Sequence, residues 1–309
     1  MASKTKLIEK RKAKSEIQRK ERNKTYKYTL LVVCEDENTE RKYFEQFAEF
    51  FTGKEFGVIS VGTGTAHVGV VNRAIEEANK RNLHIESNRN SSSDFVWVVF
   101  DRDRSDKEEE DKSKQRNFDE ALVRAQEHNF KVAYSNDAFE LWLLLHLEGV
   151  IPDLPIPRND RQAFTITRHD TNLETLIQKG FYDGNITDSN PTLCIYERLE
   201  KAIRKHPNYS NYIYIHSNEY IPNDGSDNKK IIKKQIRSQK TIIEVIHDIG
   251  DELKAMERAD ILVKAHNGIP ESSANPSTKV YCLVQEIRDW INFYKQESRG
   301  IIKDIPSRN

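Results

Sequence analysis

Phe95-Val96-Trp97-Val98-Val99-Phe100-Asp101-Arg102-Asp103 is an apolar run that stops abruptly at a pair of carboxylates. The apolar part, rich in valine and aromatic residues, reads as a strand. Its lack of polar alternation marks a strand covered on both faces, as in a parallel sheet. In extended chain, residues i and i+2 point to the same side about 6.6 Å apart. Asp101 and Asp103 are thereby placed to hold a divalent cation between them. Taken alone the pair has a plainer reading, because acidic residues often open a loop or cap the following helix.

Outward from this stretch, β-rich runs alternate with helical ones: 28–34 then 38–51, 56–61 then 67–82, 95–100 then 117–129, and 130–135 then 137–147. The alternation predicts an α/β fold, a Rossmann-like parallel sheet with right-handed crossovers and helices on its faces. Residues just past the C-terminal ends of parallel strands share one edge, where ligands bind. Glu35 follows the first strand, Asp101 and Asp103 follow the third, and Ser135 ends the fourth with Glu140 close behind. Carboxylates gathered so densely repel one another, and a divalent cation compensates them. Oxygen ligands alone suit Mg2+ or Mn2+. Asp137 and Glu140 are also spaced as a helix capping box, and the acidic run 106–111 reads as a solvated loop. His146 lies about 240° further round a helix than Glu140, so the two do not share a face. Within the apolar run 141–147, a packed helix histidine competes with a catalytic one.

Pro152, Pro155 and Pro157 interrupt the pattern and set a boundary. The chain is thus divided into a basic N-terminal arm (1–27), an α/β domain (28–150) and a mainly helical C-terminal region (151–309) that packs on the domain or stands apart from it. Asn190 with Pro191, and Asn275 with Pro276, each read as an N-cap followed by the first helical position. After the second pair, Val280, Leu283, Val284, Ile287 and Ile291 define one buried helix face.

The zero net charge conceals an asymmetry, since residues 1–27 carry 11 Lys or Arg against 3 Glu. Such an arm neutralises nucleic-acid phosphates or is a solvated tail. Lys229, Lys233, Arg237 and Lys240 recur at i, i+4, i+8 and i+11 with no acidic residue between. They form a basic helix face for nucleic acid or an ordinary amphipathic surface. Gly62-Thr63-Gly64-Thr65 is too short to be a phosphate-binding P-loop, so an intrinsic ATPase is not indicated. No apolar run spans a bilayer and the N-terminus is charged, which points away from the membrane and to the cytoplasm. Cys34, Cys194 and Cys282 are too widely spaced for a disulfide framework or a zinc site and read as small thiols.

Three motifs carry a resemblance. A strand ending in Glu35 and a later strand ending in Asp101-x-Asp103 resemble a Toprim domain, the catalytic module of topoisomerases, bacterial primases and several nucleases. More specifically, Val-Cys-Glu-Asp-Glu-Asn-Thr-Glu (33–40), Val-Phe-Asp-Arg-Asp (99–103), Ser-Asn-Asp-Ala-Phe-Glu-Leu-Trp-Leu-Leu-Leu-His (135–146) and Asn-Pro-Ser-Thr (275–278) resemble the RloB-like family. That resemblance implies a metal-dependent Toprim nuclease of restriction-linked or abortive-infection loci, working beside an ATPase on a separate chain. It implies that Glu35, Asp101 and Asp103 are the catalytic acid and metal ligands. Glu140 is a candidate further ligand, and Asp36, Glu40, Ser135 and His146 are auxiliary candidates. Asp36 stands where the family usually has glycine, and it tolerates left-handed backbone better than most residues. Cleavage would use a cation to neutralise the scissile phosphate and activate water, with Glu35 moving a proton or sharing the metal. The alternatives are a non-catalytic nucleic-acid-binding or regulatory protein of this fold, and a primase-like nucleotidyl transferase.

Overall fold

The computed structural model describes residues 28–51, 56–83, 94–105, 107–136, 138–153, 156, 165–167, 195–206, 229–231 and 242–298. In chain order the elements are β1 (Tyr28–Cys34), α1 (Thr39–Glu45), a 3-10 turn (Gln46–Phe50), β2 (Phe56–Gly62), α2 (Val68–Lys80), β3 (Asp94–Asp101), α3 (Glu108–Glu127), β4 (Lys131–Asn136) and α4 (Glu140–Leu145). There follow β5 (Thr165–Thr167), α5 (Ile195–Arg204), β6 (Lys229–Ile231), α6 (Ile242–Ile249), α7 (Glu252–Ala265), β7 (Ser277–Thr278) and α8 (Val280–Ser298). The main sheet has the order β2-β1-β3-β4-β7, parallel throughout except for β7, which runs antiparallel to β4. The fold class predicted from the alternating runs is the one observed.

Strand side chains alternate between two cores, as the period of two requires. Leu30, Val32, Cys34, Trp97, Val99 and Ala133 face the aromatics of α1 and the helices α4, α6, α7 and α8. Leu31, Val33, Val96, Val98, Phe100 and Tyr134 face α2 and α3, where Val70, Val71, Ala74, Phe118, Ala121 and Ala125 meet them. The α8 face anticipated from spacing is buried, with Val280, Leu283, Val284 and Ile287 at 0% exposure and Ile291 at 2%. Because β7 extends the sheet and α6 to α8 fill its first core, the C-terminal residues complete the α/β layer.

Several expectations are corrected. The acidic run is not a loop, because Glu108, Glu109, Glu110 and Asp111 form the first turn of α3, where negative charge complements the helix dipole. Asn275 does not cap a helix. Ser277 and Thr278 instead pair with Asn136 and Ser135, and the helix begins only after the Thr278 hydroxyl accepts the Val280 N–H at 3.3 Å. Lys229 lies in a strand paired with Thr165–Thr167 rather than on a helix, as suits the β-branched Ile231 beside it. Lys233, Arg237 and Lys240 lie outside the described residues, as do the 1–27 arm, Asp106, Asp137, Asn190, Pro191 and Cys194. Among the described residues, no helix is long and apolar enough to cross a membrane.

Candidate functional site

The C-terminal ends of β1, β2 and β3 are tied together by backbone bonds that fix Glu35. Its N–H donates to the Val99 carbonyl at 2.9 Å, and its carbonyl accepts the Gly64 N–H at 2.9 Å. The approach depends on Gly62, where an added Cβ would stand 2.5 Å from Glu37 Cα and 3.1 Å from the Asp36 carbonyl oxygen. The next residue, Asp36, acts as a cap for α1. Its carboxylate accepts the N–H of Asn38 at 3.1 Å and of Thr39 at 2.8 Å, while its own N–H donates to Glu40 Oε2 at 3.1 Å. This explains an aspartate at a position where the resemblance leads one to expect glycine. Positive φ at this edge falls on Gly64 (65°), His67 (43°) and Asp103 (52°) instead.

Asp101 ends β3. Its N–H donates to Glu35 Oε2 at 3.2 Å, and the Phe139 N–H points to its carboxylate. The residue is only partly buried overall, but Oδ1 is buried with no hydrogen-bond partner. Burial, then the charges of Glu40, Glu35 and Glu140, push the Asp101 acid well above the ordinary aspartate range. Glu40 and Glu140 are buried at 2% and 4% exposure. Burial, Glu35 and its other acidic neighbours likewise raise Glu40. Burial is also the main reason Glu35 is pushed up to about 7, with Asp103 and Asp36 adding to the rise and the Asp101 N–H and Lys114 opposing it. Carboxylates from β1, α1, β3 and α4 therefore crowd one edge and disfavour one another's charge.

The step from Asp101 to Asp103 is not the extended one assumed from the sequence. The strand stops at Asp101, and the left-handed Asp103 meets α3, where its Oδ2 accepts from Lys114 Nζ at 2.9 Å. Arg102 between them is 1% exposed. Its Nε–H donates to the Ser272 carbonyl at 3.0 Å and its guanidinium reaches Asp111 Oδ2 at 3.4 Å. Ser135 is equally buried. It serves the sheet, its carbonyl accepting the Arg102 N–H at 2.8 Å and its hydroxyl meeting Thr278 Oγ1 at 3.0 Å. His146 packs edge-on against Tyr43 and Trp142, with Nδ1 donating to the Trp142 carbonyl at 2.9 Å. Burial lowers its pKa, and the charges acting on it are those of Glu252, Asp251 and Arg258 rather than the acidic edge.

A residue the motifs did not single out is His67, which precedes α2. Its Nε2 lies 2.8 Å from the Asp101 carbonyl, its ring packs edge-on against Phe100 and Phe118, and burial lowers its pKa. A neutral ring donating from Nε2 fits these surroundings. The rule that ligands gather past strand ends, applied to the loop after β2, is the signal that locates it.

Among the described residues, no group of three or more His, Cys, Asp or Glu side chains is arranged as a ready metal-ligand set. The donor chemistry nonetheless fits a hard cation. Asp101 presents a buried oxygen without a partner, and the neighbouring donors are all carboxylates. Asp101, Glu40 and Glu140 would hold Mg2+ or Mn2+ after side-chain rotation, with Asp103 joining from its pairing with Lys114 and Glu35 beside them.

One consequence is a pH dependence of stability. A carboxylic acid raised from 4.5 to about 7 in the folded chain binds its proton more tightly there than when unfolded. Without metal, stability is therefore highest below pH 4.5 as far as Glu35 is concerned, and falls as pH rises from 4.5 to about 7. The loss from this group is on the order of 3 kcal/mol. Urea unfolding at several pH values in chelator should show it, and Glu35→Gln should reduce it, leaving the part that the raised Asp101 and Glu40 contribute.

The family model described as RloB-like protein matches residues 30–287 of the chain. No curated protein and no solved structure matches it.

Proposed function

The chain belongs to the RloB-like family, and from its acidic edge we propose that it is a Mg2+- or Mn2+-dependent nuclease cleaving phosphodiester bonds of DNA or RNA. The observation that carries this reading is the Asp101 carboxylate. It has an unpartnered buried oxygen, and Glu35, Glu40 and Glu140 surround it closely enough to raise its pKa. A purely structural aspartate is ordinarily satisfied by donors or a cationic partner. The family resemblance adds the expectation of a role in prokaryotic anti-phage defence, with an ATPase on a separate chain.

In this proposal a bound cation supplies charge neutralisation at the scissile phosphate and a more acidic water. Asp101 and Asp103 hold it, with Glu40 and Glu140 as further oxygen donors. Glu35 takes or gives a proton. Its carboxylate is oriented by the Asp101 N–H. Asp36 and Gly62 position the loops around it.

The test is purified full-length protein incubated with Mg2+ or Mn2+ against plasmid, single-stranded DNA and total RNA including tRNA. Cleavage of at least one substrate, abolished by chelator, is expected. Nucleotide incorporation in place of cleavage would favour the transferase, and metal-independent binding without turnover would favour the non-catalytic binder.

A further inference from the structure

Lys114 lies on α3 with Nζ 2.9 Å from Asp103 Oδ2 and 3.8 Å from Glu110 Oε1. The lysine side chain is 22% exposed and that of Asp103 is 52% exposed, so their pairing sits at the open side of the acidic edge. Arg102, which immediately precedes Asp103, is turned inward onto Ser272 and Asp111. The Lys114 charge also reaches Glu35 and His67, pulling the pKa of each down. A flexible ammonium beside a half-exposed carboxylate is a mobile point charge, suited to a phosphate as well as to an aspartate.

We propose that Lys114 is a substrate-phosphate contact held in reserve on Asp103: it neutralises that carboxylate in the metal-free chain and turns to a non-bridging phosphate oxygen when Asp103 takes up a cation. This inference rests on the metal-dependent reading of the acidic edge. Its two halves have separate readouts. Removing the ammonium takes away a competitor for Asp103, so Lys114→Gln should bind Mn2+ more tightly, by about two- to fivefold for a pair this exposed. It should also remove one phosphate contact from the metal-loaded complex.

The experiment uses the full chain, wild type, Lys114→Gln and Lys114→Arg, with circular dichroism confirming that all three are folded. Mn2+ affinity is measured by electron paramagnetic resonance. Binding of nuclease-resistant phosphorothioate DNA and RNA oligonucleotides is then followed across a salt series with and without Mn2+. The expected result is tighter Mn2+ binding by Lys114→Gln and, only with Mn2+ present, a logarithmic salt slope shallower by about one unit. Lys114→Arg should retain the wild-type slope. Unchanged Mn2+ affinity, an unchanged slope, or an equal change of slope without Mn2+ each overturns the assignment. Wild-type protein that binds no Mn2+ would instead overturn the metal reading beneath it.

Discussion

Asp101→Asn is expected to reduce cleavage by about a thousandfold, corresponding to roughly 4 kcal/mol of transition-state stabilisation. The substitution is isosteric, and the amide retains an oxygen for the Phe139 N–H that points to this side chain. What it removes is negative charge at the atom best placed to receive a cation, since Oδ1 is buried without a hydrogen-bond partner. The same change relieves repulsion from Glu40, Glu35 and Glu140, so the variant should be at least as stable as wild type at neutral pH. Lost activity with gained stability would separate a functional carboxylate from a structural one. Steady-state cleavage and urea unfolding of the same preparation measure both.

The second large effect concerns the residue between the two aspartates. Arg102→Ala should cost the fold about 2–3 kcal/mol, from the lost packing and charge-assisted hydrogen bonds of a buried side chain whose partner Asp111 is only partly buried. The side chain is 1% exposed and joins the Ser272 carbonyl to Asp111, tying the loop before β7 to the start of α3. Its removal leaves Asp111 without that charge and opens a cavity. Arg102→Lys should recover only part of the loss, because an ammonium cannot span two partners as a planar guanidinium does. Urea denaturation checks this, and a loss below about 1 kcal/mol in the alanine variant would contradict the assigned role.

The strands were readable because 28–34, 56–61, 95–100 and 130–135 are apolar runs too short for helices, and both faces of the sheet are covered. Their shared direction was enough to bring Glu35, Asp101 and Glu140 to one edge. What was not readable depends on local turns and distant partners. The backbone reverses into left-handed geometry at Asp103 and carries its carboxylate to Lys114, a relation invisible in Asp-x-Asp spacing. The run Glu108 to Asp111 looks like solvated loop by charge alone, yet it begins α3 because the helix dipole favours acids there. Asn275 and Pro276 imitate a helix start, but the open edge of β4 claims Ser277 and Thr278 first. His67 carries no motif, and only the fold places its ring under the Asp101 carbonyl.

The central claim, that crowded carboxylates at this edge form a divalent-cation centre organised around Asp101, is tested most directly by calorimetric unfolding of the full chain at pH 7.5 with and without Mn2+. The wild type should be stabilised, by about 2.7 kcal/mol at a cation concentration one hundred times the dissociation constant. Asp101→Asn should gain little or nothing from the same addition. Equal stabilisation of the two proteins, or none in the wild type, would contradict the account.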